Sequence, residues 1–190
     1  MKLLSSVLFL LILSPTCKSS TLEDACRSFA AGHPSIGYDY CIKTFQADKA
    51  SAAASDARGL AAVAARIAEA KANATAARVA ALSAMETDAR RRDRLAVCEE
   101  VYLDAVDQLG QAAEDLDHHG EGADADDAVT QLSAALDAPG TCEDAFGEAD
   151  DTSPLAVEDA EFKKMASIAL AVAASLTTTP PPTPVAGAKN

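Results

Sequence analysis

A regular spacing of apolar residues between Leu95 and Leu116 is the feature that most restricts the fold of this chain. Apolar side chains recur there in alternating steps of three and four, which places them along one side of an α-helix. We call this set the apolar stripe: Leu95, Cys98, Tyr102, Ala105, Leu109, Ala112 and Leu116. Alanine dominates the neighbouring segments, aromatic residues make up 4% of the chain and tryptophan is absent. Because strands favour β-branched and aromatic residues and helices favour alanine, the sequence predicts an all-α fold.

The same kind of periodicity predicts four long helices joined by short connections. They run from Ser55 to about Glu86, along the apolar stripe to His118, from about Asp124 through a kink or interruption at Pro139-Gly140, and onward from Pro154. Residues 87–92 are polar, and the arginine-rich run 90–94 is interpreted as a solvated turn between helices. Such an arrangement favours an up-down-up-down four-helix bundle over residues 48–176.

A short helical hairpin is predicted before the bundle, over residues 20–47. Thr21 can cap its first helix, and Gly32-His33-Pro34 breaks the helical pattern before a second helix begins near Ser35. One cysteine falls in each arm, Cys26 in the first and Cys41 in the second.

The two ends of the chain differ in character from the rest. Residues 1–19 combine Lys2, a short apolar run and Pro15, which is the layout of a secretory signal peptide rather than a membrane span. Residues 177–190 are rich in Pro and Thr and are predicted to be a disordered tail. We therefore expect a secreted and soluble mature protein.

The cysteine count supports two disulfides in that mature protein. Removal of residues 1–19 takes Cys17 away from the five cysteines and leaves four, which allow three pairings. A bridge from Cys26 to Cys41 inside the hairpin is the most local pairing. The remaining cysteines, Cys98 and Cys142, would then tie the second bundle helix to the third.

The charge of the chain restricts its partners. The full sequence has a formal net charge of −13, and loss of Lys2 and Lys18 with the leader makes it more negative. Such an acidic protein is not expected to bind nucleic acid or anionic membranes, and its natural partner would be basic.

A second regular pattern lies two residues away from the apolar stripe. We call it the acidic row: Glu100, Asp104, Asp107, Gln111 and Glu114. Two residues correspond to about 200° around a helix, so the acidic row should point away from the core. It is either a solvated face or an acidic surface for a basic partner, which Thr141 and Asp144 could extend onto the neighbouring helix.

Other candidate sites are weaker. The histidines at 118 and 119 with nearby aspartates match no zinc or EF-hand spacing, so neither a metal nor a cofactor is expected. No nucleophile motif supports an enzyme, since the four mature cysteines are taken up by bridges. Asn73-Ala74-Thr75 is a possible N-glycosylation site if Asn73 faces solvent.

Three segments resemble the plant invertase and pectin methylesterase inhibitor superfamily. They are Tyr38-Asp-Tyr-Cys41-Ile-Lys-Thr-Phe45 with Asp48, then Cys98-Glu-Glu-Val-Tyr102 onward to Ala112, and Leu132 onward to Thr141-Cys142-Glu-Asp144-Ala-Phe146. The resemblance implies a four-helix bundle behind a helical hairpin, with one bridge in the hairpin and one between bundle helices two and three.

The resemblance also implies a target. Invertase inhibitors of the superfamily carry a Pro-Lys-Phe triplet early in the third bundle helix, where this chain has Gly122-Ala-Asp-Ala-Asp-Asp127. The closer similarity to members that inhibit pectin methylesterase implies a one-to-one complex that blocks the pectin cleft. The implied contacts are Glu100, Asp104, Asp107, Thr141 and Asp144.

Alternatives remain for both target and class. The first is inhibition of a cell-wall or vacuolar acid invertase. The second is a structural cell-wall glycoprotein whose Pro/Thr-rich tail carries sugars. The expected location is the apoplast or cell wall in preference to the vacuole.

Overall fold

The computed structural model describes residues 17–118 and 123–177, and all regular structure in these ranges is helical. The α-helices are α1 (Cys17–Gly32), α2 (Tyr38–Ala47), α3 (Ala57–Met85), α4 (Ala89–Asp117), α5 (Ala123–Ala135), α6 (Ala138–Gly147) and α7 (Ala156–Thr177), with a short 3-10 helix at Lys49–Ala52. Residues 1–16 of the predicted leader and the tail from residue 178 lie outside the described residues, so the leader and the disordered tail both stay predictions. None of the described helices has the length and hydropathy that a membrane span requires.

The long helices form a bundle whose third member is divided in two. Helix α3 packs along α4 and α7, α4 also contacts α5 and α6, and α5 returns to α7. The predicted all-α bundle behind a hairpin is therefore confirmed. The division between α5 and α6 lies at Leu136-Asp137, and Pro139 is in the first turn of α6. Proline is tolerated there because it lacks only an N–H that a first turn leaves unpaired.

Aspartate side chains cap the N-terminal ends of the two longest helices, α3 and α4. Asp56 accepts a hydrogen bond from the Gly59 amide, 2.9 Å away, and Asp88 accepts one from the Arg91 amide, also 2.9 Å. The prediction that the arginine run lies in a turn was wrong, because capping by Asp88 starts α4 at Ala89 and puts the run in its first two turns. Helix α1 likewise begins at Cys17, four residues before Thr21.

The core is built from the apolar stripe and from alanines. Every member of the stripe is at most 1% exposed, so its predicted burial is confirmed. Helix α3, which packs along both α4 and α7, contributes small buried side chains that permit close approach of its neighbours: Ala61, Ala64, Ala65, Ala68, Ala72 and Ala76. Larger side chains fill the spaces between helices, and the Tyr102 and Phe162 rings meet edge to face at 5.3 Å.

Both predicted disulfides are present. Cys26 joins Cys41 within the hairpin, with Cα atoms 5.6 Å apart, and Cys98 joins Cys142 between α4 and α6, with Cα atoms 4.6 Å apart. The four sulfur-bearing side chains are completely buried. The second bridge fixes α6 to the middle of the bundle although Pro139 and the preceding break separate it from α5.

A polar contact attaches the hairpin to α7. The Tyr40 hydroxyl donates to Glu161 at 2.9 Å, and Lys164 donates to the same carboxylate at 2.6 Å. Lys164, and after it Tyr40, lowers the pKa of Glu161. Burial, followed by the Glu161 carboxylate, raises the pKa of Tyr40 to about 12. The hairpin is thereby held against the outer face of the bundle.

The two bridges are expected to differ in their effect on stability. They close loops with sequence separations of 15 and 44 residues. In the loop-entropy model these constrain the unfolded chain by about 3 and about 4 kcal/mol respectively. We expect C98A/C142A to lose more unfolding free energy than C26A/C41A in urea titrations without reductant. An equal or smaller loss for C98A/C142A would contradict the expectation that the bridge closing the longer loop stabilises the fold more.

Candidate interaction surface

The acidic row lies on the solvent side of α4. All five of its members are exposed, while the stripe two residues away is buried, which confirms the predicted orientation. Val97 falls one step before Glu100 in the same three-four alternation and is 37% exposed. Leu103, beside Asp104, is 49% exposed. The surface of α4 therefore combines carboxylates with two exposed apolar side chains.

Residues of α4 and α6 line one shallow groove. It lies between α4, α5 and α6, and its lining residues are Val101, Asp104, Gln108, Ala134, Asp137, Ala138 and Thr141. Two of the predicted contact residues, Asp104 and Thr141, thus meet in one concave feature. Glu100, Asp107 and Asp144 are exposed but are not among the residues that line it.

Asp137 is a groove residue that the sequence reasoning missed. It is exposed and precedes α6, and its carbonyl accepts a hydrogen bond from the Thr141 hydroxyl at 3.3 Å. The signal was its position directly before the Ala138-Pro139 helix start, which places a polar residue at the helix boundary. It adds a third carboxylate-bearing position to the area around Asp104 and Asp144.

The buried bridge between α4 and α6 is close in sequence to the predicted contact residues. Thr141 directly precedes Cys142 and Asp144 follows it by two residues on α6, and Glu100 follows Cys98 by two residues on α4. Farther along α6, the guanidinium groups of Arg91 and Arg94 lie 5.3 and 5.5 Å from the centre of the Phe146 ring. Both arginines also pair with Asp151, and the bond to Arg91 is the main reason that the pKa of Asp151 lies below its ordinary value.

Behind α6 lies a buried polar cluster. The Tyr102 hydroxyl donates to Asp159 Oδ1, and Asp159 is only 3% exposed. Burial, followed by the neighbouring Glu143 carboxyl, raises the pKa of Asp159 to about 7. Burial also raises the pKa of Tyr102 above its ordinary value. Tyr102 was predicted only as a core residue, so its polar role was not foreseen.

For the predicted glycosylation site, the structure gives the position and exposure of the residues but does not test their function. Asn73 is exposed on α3, as glycosylation requires, whereas Thr75 of the same sequon is buried and donates to the Lys71 carbonyl at 3.0 Å. Within residues 17–118 and 123–177, no three His, Cys, Asp or Glu side chains are placed to hold a metal ion. His119 lies outside those ranges, so the absence of a metal stays a prediction. Glycosylation of Asn73 also stays a prediction, because the structure shows only that its side chain is exposed.

Comparison with known proteins gives consistent matches across most of the chain. The family model for plant invertase/pectin methylesterase inhibitors matches residues 13–172. Pectinesterase inhibitor 12 of Arabidopsis thaliana is 34% identical over 89% of this chain and 95% of its own length. A “Putative invertase inhibitor” of Platanus acerifolia is 28% identical over 86% of this chain and 89% of its own length.

The chain belongs to the plant invertase/pectin methylesterase inhibitor family.

Solved structures agree with that membership at the level of the fold. The crystal structure of a pectin methylesterase inhibitor from Arabidopsis thaliana matches with a TM-score of 0.56 and 23% identity, covering 83% of this chain and 97% of the other. A second crystal structure, of mutant form A of an inhibitor from Arabidopsis, gives a TM-score of 0.60 and 24% identity over 72% of this chain and 88% of the other. The resemblance in the sequence is thus confirmed, and this family member is an inhibitor and not an enzyme.

The Tyr102–Asp159 hydrogen bond should matter more for folding than the exposed contacts around it. We expect Y102F to lower the free energy of unfolding by about 1–3 kcal/mol, because it leaves a buried acceptor without its donor. Y40F is the matched control, since it removes a hydroxyl whose partner Glu161 is only partly buried. Urea denaturation at pH 5.5 measures both variants. A loss for Y102F no larger than that for Y40F would show that the buried bond does not stabilise the bundle.

Proposed function

We propose that this inhibitor acts on a pectin methylesterase, forming a reversible one-to-one complex in which the bundle covers the pectin-binding cleft. The observation that carries the proposal is the exposed acidic row of α4 together with the α4–α6 groove, which Asp104 and Thr141 both line. The chain would perform no chemistry itself. It would deny the cleft to substrate by occupying it.

The relatives support this choice of target. Pectinesterase inhibitor 12 aligns over nearly the whole chain, and a pectinesterase inhibitor of Actinidia deliciosa is 35% identical over 65% of this chain and 63% of its own length. The contact set implied by the resemblance also coincides with residues that are exposed here: Glu100, Asp104, Asp107, Thr141 and Asp144. Coincidence of the two sets is what favours a binding role over a merely solvated helix face.

Electrostatics and shape would act at different stages of binding. The chain has a net charge of −13, and complementary charge mainly accelerates encounter and selects the partner. Val97 and Leu103, exposed among the carboxylates, would supply apolar area once the two proteins meet. The Cys98–Cys142 bridge beneath the surface would keep it rigid and so lower the entropy that binding must remove.

Acid invertase is the second candidate target. Its support is the relative named as an invertase inhibitor, which aligns over 86% of this chain. Against it stands the absence of the Pro-Lys-Phe triplet at the start of the third bundle helix. At that position α5 begins at Ala123, and Asp126 and Asp127 are exposed in its first turns.

Family membership also bears on the remaining expectations. It favours an inhibitor over a structural cell-wall glycoprotein, and the tail on which that alternative depends lies outside the described residues. An apoplastic location follows from the predicted leader of residues 1–19 and from the cell-wall substrate of the proposed target. It would also maintain both disulfides, because the secretory route is oxidising.

Charge reversal on the acidic row tests the binding mechanism. We expect D104K/D107K to weaken inhibition of a plant pectin methylesterase at least tenfold, because two carboxylates facing basic groups become ammonium groups that repel them. Both positions are exposed, so the circular dichroism spectrum and the melting temperature should stay close to those of the wild type. Inhibitor titrations at mildly acidic pH give the affinity.

A control variant separates the position of the charges from their number. E23K/D39K reverses two exposed carboxylates on the hairpin and changes the net charge by the same amount. It should inhibit nearly as well as the wild type. Equal weakening by both double variants would contradict a binding role for the acidic row.

Added salt should act on the rate of association. Raising the ionic strength from about 0.01 to 0.15 M shortens the Debye length from about 30 to about 8 Å, which screens the attraction between separated charges. We expect slower association and a nearly unchanged dissociation rate in surface plasmon resonance, with a weaker salt effect for D104K/D107K. An association rate insensitive to salt would exclude electrostatic steering by this surface.

A further inference from the structure

The cleft between α6 and α7 contains two carboxyl groups that the proposed function does not use. Asp159 in the first turn of α7 and Glu143 on α6 both line this cleft, and their carboxyl groups are within hydrogen-bonding reach of each other. Asp159 is almost completely buried, and Glu143 is partly buried. Two ionised carboxylates in such contact would repel strongly, because the low local dielectric does not screen them.

The pattern of hydrogen bonds shows what is missing between them. Asp159 Oδ1 accepts the hydroxyl hydrogen of Tyr102. The other oxygen, Asp159 Oδ2, and Glu143 Oε1 are both buried and receive no hydrogen bond from any N–H or O–H group of the described residues. Buried polar atoms without a partner are rare in folded proteins, and each requires an explanation. A single proton held between these two oxygens would satisfy both at once.

We propose that Asp159 and Glu143 share one proton in the folded protein, with Asp159 Oδ2 donating to Glu143 Oε1, and that this proton fixes α6 against α4 and α7. The chain of donors then runs from Tyr102 on α4 to Asp159 on α7 and on to Glu143 on α6. Three helices meet in one hydrogen-bonded cluster. Because the shared proton needs only residues of this chain, it does not depend on the identity of the target enzyme.

The charged groups around the cluster favour the protonated form. Glu158, the neighbour of Asp159 on α7, adds a further negative charge. Arg78 of α3 offsets this charge only weakly, because its Nε lies 3.9 Å from Glu158 Oε1 and its side chain is exposed. Lys163 is the one basic residue among those that line the cleft, and its side chain is exposed. Tyr102 on α4 donates a hydrogen bond but carries no positive charge. No buried cation of the described residues therefore stands against Asp159 to keep it ionised.

The sign of the pH dependence follows from the raised pKa of Asp159, about 7 in the folded state against the ordinary 3.8. Between these values the folded protein holds a proton that the unfolded chain releases. The folding equilibrium constant should therefore fall about tenfold for each pH unit gained in the middle of this window and level off above pH 7. The lowered pKa values of Asp88, Asp151 and Glu161 act in the opposite direction and at lower pH, so they do not mask it.

The location of Glu143 connects this proton to the surface described above. Glu143 lies between Thr141 and Asp144 on α6, so the cluster also fixes the α6 part of that surface. This consequence rests on the proposed function, whereas the shared proton does not. A protein that inhibits no methylesterase would still show the pH dependence of stability.

Urea denaturation of the oxidised protein at intervals between pH 5 and 8.5 tests the proposal. The wild type should lose stability steeply between pH 5 and 7. D159N should lack this slope, and E143Q should lie closer to D159N than to the wild type, because the side-chain amide that E143Q introduces can donate to an ionised Asp159. E148Q, which alters an exposed carboxyl at the end of the same helix, should keep the wild-type slope. A wild-type slope no steeper than that of D159N would overturn the shared proton.

Infrared spectroscopy of the wild type provides a second measurement that requires no stable variant. A carbonyl band of a protonated carboxylic acid should be present at pH 6 and lost by pH 8.5 while the protein remains folded. Where D159N folds, the band should be absent from it. Absence of the band in the wild type at pH 6 would contradict the proposal even if every variant fails to fold.

Discussion

The disulfide between Cys98 and Cys142 is the constraint on which the rest of the structure depends. It joins the N-terminal half of α4 to α6, the helix that the break at Leu136-Asp137 separates from α5. Without it, α6 would be a ten-residue helix held by the burial of Ala138, Pro139 and Phe146, and helices this short are marginal on their own. The bridge holds the backbones of α4 and α6 close together, with the two Cα atoms 4.6 Å apart. Both helices, together with α5, line the groove.

One helix therefore serves two purposes on opposite sides. The buried side of α4 supplies Tyr102 to the polar cluster and Cys98 to the bridge, while its exposed side carries the acidic row. Helix α6 also has different faces: Cys142 is buried, Thr141 and Asp144 are exposed, and Glu143 lines the cleft towards α7. The residues that fix the core and the exposed residues proposed to meet a partner are separated by only one or two residues along the chain.

Local patterns made much of this structure predictable. The three-four alternation located α4 and its exposed row. The cysteine positions allowed three pairings, and both the preference for the most local one and the family resemblance favoured the pairing that is present. The arginine run was predicted to lie in a turn because its charges are typical of a turn. The signal for a helix was Asp88, whose carboxylate caps α4 immediately before the run. The buried role of Asp159 could not be foreseen either. In sequence it is one of two adjacent acids at a helix start, and only the packing of α4 and α6 against α7 distinguishes it from Glu158.

The choice of target enzyme is the central claim, and a parallel titration tests it most directly. The oxidised mature protein would be titrated against a plant pectin methylesterase and an acid invertase under the same mildly acidic conditions. The account predicts saturable loss of methylesterase activity at one inhibitor per enzyme, with invertase activity unchanged. Saturable inhibition of invertase with the methylesterase unaffected would contradict it and assign the acidic start of α5 a role that the missing Pro-Lys-Phe triplet argues against.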